Sequence, residues 1–272
     1  MTQKTTLKRF AVLTCLVGSV VGCGSGAHQT SSTKIVGGQV AQDRPFMAAL
    51  VGKDTDFAFC DGTFIAPGVV LTAAHCVVGG TVGMRIAGGH RLNTGLTADK
   101  TAAVTAVVHH KDYNPNTNDN DVAMVFLKTT DLSRFGDRVH PAATSLETGL
   151  PESVGSATVA GWGAQSEGGN DYPDELREVT VPVVPRALCN SAGGGYASVT
   201  ERQICAGDFA HGGIDSCQGD SGGPLFVERN NKVEVIGVVS WGNGCAEAHK
   251  PGVYTRVAAF QSWITQQIAA HH

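Results

Sequence analysis

The sequence predicts an all-β fold closed by one C-terminal helix. Three observations predict it. Short apolar, Val-rich runs recur along the chain, separated by Gly, Asn, Pro and Asp, which is the pattern of strands and turns. Glycine occupies 35 of the 272 positions, well above the average of about 7%. Each Gly inside a helix costs about 1 kcal/mol, so the excess argues against a helical bundle. Finally, strands do not alternate with long helical periods, which argues against a parallel βαβ sheet. The 42% hydrophobic and 16% charged content supplies an ample core. A single all-β unit can reach about 250 residues.

In chain order the runs are Phe46–Val51, Val69–Thr72, Val104–Val108, Val122–Leu127, Ala157–Ala160, Val179–Val184, Val233–Ser240 and Gly252–Val257. The helix falls at Ala258–Ala270, where Phe260, Trp263, Ile264 and Ile268 share one face at helical spacing.

Residues 1–34 stand apart. Lys4, Lys8 and Arg9 precede an apolar run, Phe10 to Gly22. A membrane span needs about 20 apolar residues. The shorter run fits a secretory signal peptide over 1–22. Two processing readings compete. Val20-Val21-Gly22-Cys23 resembles a bacterial lipobox, with lipidation at Cys23. Ordinary cleavage after Ala27, preceded by Ser25-Gly26, is the alternative. Cysteine arithmetic favours the lipobox, because Cys23 is the odd one out. Residues 23–34 read as a polar pro-segment, and 35–272 as the folded domain. Residues 1–34 carry four of the 20 basic residues and no acid, so the domain holds 16 basic against 24 acidic residues, or −8. Nucleic-acid affinity comes mostly from Lys and Arg at phosphates, so this acidic domain is not expected to bind nucleic acid.

The domain contains six cysteines: Cys60, Cys76, Cys189, Cys205, Cys217 and Cys245. An even number in an exported chain implies disulfides, but spacing does not choose the pairing. A zinc reading is poor, because His75-Cys76 lacks a second short-spaced pair.

The sharpest local motif is Gly219-Asp220-Ser221-Gly222-Gly223. Glycines around a Ser expose its hydroxyl and let backbone amides approach a reacting oxygen. The motif also satisfies G-x-S-x-G of the α/β-hydrolases. A serine nucleophile needs a base, usually a His oriented by a carboxylate. His75 ends an apolar run beside Cys76. Asp121 enters another run, so it would be buried and must have a partner. Asp119 reads as a solvated turn residue. His109, His110, His211, His271 and His272 read as solvated as well.

These pieces belong to a larger set: Ile35-Val36-Gly37-Gly38, Thr72-Ala73-Ala74-His75-Cys76, Asp119-Asn120-Asp121-Val122-Ala123, Gly161-Trp162-Gly163, Asp215 to Leu225, and Val239-Ser240-Trp241-Gly242. In that order, across residues 35–264, they resemble the trypsin/chymotrypsin serine proteases. The resemblance implies two packed six-stranded antiparallel β-barrels with a C-terminal helix. It implies a serine endopeptidase whose roles follow the established triad template. Ser221 attacks the carbonyl, His75 moves the proton and Asp121 orients the imidazole. Gly219 and Ser221 amides form the oxyanion hole. Chain order excludes the α/β-hydrolase, which needs Ser, acid, His.

Further implications follow from the same resemblance. Asp215 sits at the base of a specificity pocket with Gly242 and Gly252 on its walls, so cleavage follows Lys or Arg. Trp241 forms a shelf, and Ser240 and Gly242 offer backbone groups to an extended substrate. A free amino group at Ile35 inserts beside Asp220 after cleavage of Lys34-Ile35, by self-activation. Disulfides pair Cys60–Cys76, Cys189–Cys205 and Cys217–Cys245. Partners are protein or peptide substrates and protein inhibitors. No cofactor or metal is expected, and the chain is expected to be a monomer, membrane-linked only through Cys23 before activation. The loop Gly88 to Lys100 lacks the glutamates of the trypsin calcium loop, and only Asp99 is acidic there. Asp61 replaces a usual glycine and is expected near the leaving group, disfavouring acidic residues there. Ala58 replaces a His that steadies many precursors. A catalytically dead binding homologue is the competing class, disfavoured because all three triad positions are filled. A narrow regulatory protease remains open beside a digestive one.

Overall fold

The computed structural model describes residues 1–2, 35–53, 55, 57–80, 82–89, 91–92, 100–138, 142–145, 150–169 and 171–271. Residues 3–34, which hold the rest of the signal segment, Cys23 and Lys34, lie outside the described residues, as do Asp99 and His272.

After a two-residue strand β1 (Gln39–Val40), six strands follow: β2 (Met47–Val51), β3 (Ala58–Ala66), β4 (Val69–Thr72), β5 (Arg85–Gly88), β6 (Thr101–His109) and β7 (Ala123–Leu127). They close a barrel in the order β2-β3-β4-β7-β6-β5, all neighbours antiparallel. A second set follows: β8 (Ala143–Thr144), helix α1 (Leu150–Val154), β9 (Ser156–Gly161), β10 (Arg177–Val184), helix α2 (Arg186–Asn190), β11 (Gln203–Ala206), β12 (Pro224–Arg229), β13 (Lys232–Trp241), β14 (Gly252–Arg256) and helix α3 (Gln261–His271). Here β9-β10-β11-β14-β13-β12 closes through the β12–β9 pairing, with β1 and β8 added at β10 and β13. The two antiparallel six-stranded barrels and the terminal helix are the expected architecture.

Strand parity explains why the runs are continuously apolar rather than alternating. Successive side chains point to opposite faces. Ala48 and Leu50 fill the interior of the first barrel, with Val70, Val125 and Phe64. Met47, Ala49 and Val51 face the other way, into a core shared with Phe226, Val235 and Val238 of the second barrel. Both faces are buried, so both carry apolar residues. The second interior holds Ile35, Val159, Leu225, Ile236 and Tyr254.

All eight expected runs are strands. Four substantial strands, β3, β5, β11 and β12, lie outside those runs. In β3 the sequence Asp61-Gly62-Thr63 interrupts the apolar pattern, yet Asp61 and Thr63 are buried. The helix is shorter than expected, because Val257–Phe260 forms a tighter 3₁₀ turn ahead of it. Its face is as read: Phe260 and Ile264 are buried, and Trp263 and Ile268 pack against the shared core. Burying one such side chain stabilises by about 1.5–3 kcal/mol. His110 is a correction. Its ring lies against Phe260 at 5.3 Å and Trp263 at 5.4 Å, and burial lowers its pKa.

The disulfides are Cys60–Cys76, Cys189–Cys205 and Cys217–Cys245. The first closes a 16-residue separation, and a loop of that length is worth about 3 kcal/mol in the chain-entropy account. It ties β3 to the segment carrying His75.

Candidate active site

His75 follows β4 on the buried strand's exit turn. Its backbone N–H donates to Asp121 Oδ1 at 2.9 Å, and its ring Nδ1 lies 2.7 Å from Asp121 Oδ2. Asp121 is fully buried. Its carboxylate also accepts the Ser240 hydroxyl at 2.6 Å, and its backbone carbonyl accepts the Thr255 hydroxyl at 2.7 Å. A carboxylate can only accept. The Nδ1 atom therefore donates, and Nε2 is left as the acceptor. The sequence predicts only a backbone role toward substrate for Ser240 and none for Thr255. Their hydroxyls hold Asp121 from β13 and β14 of the opposite barrel.

Ser221 sits in a loop that leads into β12. Its carbonyl accepts the Asp61 N–H at 2.7 Å. A Cβ on Gly222 would overlap Thr72 Oγ1 and Asp61 O, so glycine lets this loop close on β3 and β4. Among the described residues no hydrogen bond links Ser221 Oγ to the imidazole. Such contacts commonly tighten only when substrate is present. Around Ser221, the N–H groups of Asp220, Gly222 and Gly223 are paired with Cys217 O, Val239 O and Asp220 O. Among the described residues the N–H groups of Gly219 and Ser221 have no such partner. Gly219 has φ +99°, a backbone region that L side chains rarely adopt. Two free donors beside a serine hydroxyl can receive an oxyanion.

A cavity of about 200 Å³ opens beside Ser221, lined by Asp215, Ser240, Trp241, Gly242 and Gly252 among others. Asp215 is 2% exposed. It accepts N–H bonds from Ser216 at 2.8 Å and Ala246 at 3.2 Å. Burial pushes its carboxyl up to about 7, despite those N–H donors and aided by the Asp220 charge. A Cβ on Gly252 would lie 2.6 Å from Asp215 Oδ1, and any side chain there would block the carboxylate. Gly242 is exposed at the rim, and Trp241 leans on Tyr196 with ring centroids 5.0 Å apart. The exposed aromatics Phe57 and Tyr172 meet edge to face at 5.1 Å. Tyr172 also approaches within 3.1 Å of where a Cβ of Gly219 would be. No sequence motif flagged this pair.

Ile35 is fully buried in the second barrel. Val36 bridges Asp215 and packs with Cys217 and Cys245. Asp220 is fully buried and accepts N–H bonds from Gly163 at 2.8 Å and Cys217 at 2.7 Å. Two expectations are corrected. Asp61 does not face a leaving group: it is fully buried on the shared-core face of β3, and its Oδ2 accepts the Trp162 N–H at 3.0 Å. Asp119 is not a solvated turn residue. It pairs with Arg202, and the Thr200 hydroxyl donates to it at 3.3 Å. Burial opposes its ionisation, but Arg202 holds its carboxyl below the usual range.

A double β-barrel with a buried Asp, a partly exposed His and a Ser beside free amide donors defines a serine endopeptidase. The Trypsin family model matches residues 35–264, and the chain belongs to the trypsin family of serine proteases. It is 39% identical to coagulation factor XII of Sus scrofa over 91% of this chain and 42% of that protein. It is 40% identical to Trypsin Blo t 3 of Blomia tropicalis over 76% of each chain. It is 39% identical to a trypsin of Saccharopolyspora erythraea over 87% of this chain and 99% of that one. The chain thus spans under half the length of the factor XII relative.

Proposed function

We propose a secreted endopeptidase that cleaves after Lys and Arg and is activated by cutting Lys34-Ile35. The observation that carries the specificity is Asp215, buried at the cavity base with no side chain on Gly252 to cover it. Its carboxyl offers a dry counter-charge to a long cationic side chain. Ser221 attacks the scissile carbonyl while His75 takes its proton through Nε2. Asp121 keeps the tautomer, and the Gly219 and Ser221 amides hold the oxyanion. Trp241 and Gly242 seat the residues before the bond.

Mapping cleavage of a peptide library by the enzyme beginning at Ile35 tests this. Cuts should follow Lys and Arg; cuts after aromatic residues would sink the assignment. Asp215→Ser strands the substrate cation without a partner, at about 3–5 kcal/mol. That converts to a fall of about 10³ in kcat/KM for Lys and Arg substrates. Because the free carboxyl sits near 7, lowering the pH through 7 protonates it and should weaken binding of a guanidinium compound to Ser221→Ala enzyme. Binding that is flat from pH 8 to 6 would mean that the carboxyl titrates lower, and binding that survives Asp215→Ser would count against a cation site.

Self-activation and export belong to the same proposal. The pro-segment has no acid to repel a cation pocket. Mass spectrometry of exported Ser221→Ala precursor mixed with trace wild type should show a new terminus at Ile35 and a lipid on the Cys23 fragment. An intact Lys34-Ile35 bond refutes self-activation. A released fragment that begins at His28 refutes lipidation.

A further inference from the structure

The fold buries two carboxyls against each other where the mechanism uses one. Asp61 and Asp220 are both 0% exposed. They converge on Gly161: a Cβ there would lie 2.5 Å from Asp61 Oδ2 and would overlap Asp220 Oδ1. The end of β9 serves both. The Trp162 N–H goes to Asp61 and the next one, of Gly163, to Asp220. Glycine at 161 and 163 is thereby explained, since a side chain at either would collide with a carboxyl. The pair is unequal. Asp220 accepts two N–H bonds, one on each oxygen. Asp61 accepts one, and its Oδ1 is buried without a partner.

Two buried like charges this close cannot both ionise without a cation. Hydrogen bonds to the charged form favour the charge on Asp220, leaving the proton on Asp61. We propose that in the uncut chain Asp61 carries a proton shared with Asp220, and that the Ile35 ammonium displaces this proton when the chain is cut. Asp61 is then a positioning residue: it helps to draw the new terminus against Asp220. The second half rests on the activation reading above.

The exchange balances. Before cutting, two carboxyls and one proton give the pocket −1. After it, Asp61–COOH releases H⁺ to solvent, and two carboxylates with one ammonium again give −1. Burial, then the Asp220 charge, pushes the Asp61 carboxyl well up, against the Trp162 N–H; burial pushes Asp220 up as well. The other titratable groups facing this region are Asp215 and Tyr254, whose pKa values are raised in part by Asp220. Neither is a cation, so in the uncut chain the proton is the available compensation among the described residues.

The sign follows from linkage. Carboxyls whose folded pKa values lie above the unfolded value bind more protons folded than unfolded. The uncut chain therefore loses stability as pH rises above the unfolded value through the folded one. The test uses uncut full-length Ser221→Ala protein, with and without Asp61→Asn. Its melting temperature should fall from pH 5 to 8, and Asp61→Asn should flatten that fall. The infrared band of buried protonated carboxyls at pH 6 should lose its Asp61 component in the variant, while that of Asp215, pushed up to about 7, stays. Equal slopes with an unchanged band overturn the shared proton. Should Asp61→Asn not fold, Asp61→Gly serves the same two readouts. In cut enzyme the ammonium is favoured by two carboxylates, so Asp61→Asn should move the alkaline limb of kcat/KM down by about one unit. An unmoved limb overturns the displacement. If cutting Lys34-Ile35 leaves activity unchanged, the activation reading fails instead, while the uncut-chain measurements still decide the pair.

Discussion

Replacing Ser221 by Ala should lower kcat by about 10⁶, the loss seen when a triad nucleophile is removed. The expected selectivity of the damage is as informative as its size. The Ser221 hydroxyl makes no hydrogen bond among the described residues, so its deletion leaves no donor or acceptor stranded. Its backbone carbonyl, which receives the Asp61 N–H, is untouched, so the loop that closes on β3 should keep its course. The Gly219 and Ser221 amides also remain. Stability should therefore stay within about 0.5 kcal/mol, and binding of a cationic product at Asp215 should persist. Calorimetry and product titration check both. A residual kcat within 100-fold of wild type would mean that another group carries the chemistry. A measurable loss of folding would mean that the hydroxyl has a structural partner. The same pair of measurements separates an enzyme from a binding homologue, because the latter shows no turnover to lose.

The triad positions were legible because each lies in its own short, recognisable segment. What surrounds them was not. Asp121 is held by Ser240 and Thr255, more than a hundred residues away along the chain. No local pattern announces that a serine hydroxyl on β13 will meet an aspartate ahead of β7. Asp119 looks like a solvated turn residue in sequence for the same reason: its partner Arg202 lies 83 residues on. His110 looks solvated in sequence because its aromatic neighbours, Phe260 and Trp263, come from the far end of the chain. Asp61 shows a different failure. Its position after Cys60 places the backbone near Ser221 correctly. But strand parity in β3 turns its side chain to the shared core, and parity is hard to assign in a strand that apolar pattern does not reveal. The barrels themselves were implied by resemblance rather than by the runs. A list of apolar segments gives strands without giving their order, and β3 and β12 carry polar residues that hide them.

Asp121→Asn should reduce kcat by about 10⁴, the loss known for the equivalent change in a triad protease. The geometry here gives the reason. Asp121 Oδ1 accepts the His75 backbone N–H, and Oδ2 faces both His75 Nδ1 and the Ser240 hydroxyl. An amide has one accepting oxygen and one donating nitrogen. If the nitrogen takes the Oδ2 position, it donates to Nδ1, and the ring proton moves to Nε2, where it can no longer accept from Ser221. If the nitrogen takes the Oδ1 position, it confronts the His75 N–H donor to donor. That buried clash costs about 1–3 kcal/mol, so the first orientation is favoured and the wrong tautomer follows. KM should change little, because Asp215, Gly242 and Gly252 are untouched. Asp119→Asn is the control. It is two residues away and weakens the Arg202 pair and the Thr200 contact without touching His75, so kcat should stay within a few-fold. Equal effects of the two substitutions would mean that charge in this loop, rather than the hydrogen-bond pattern at Asp121, governs the imidazole.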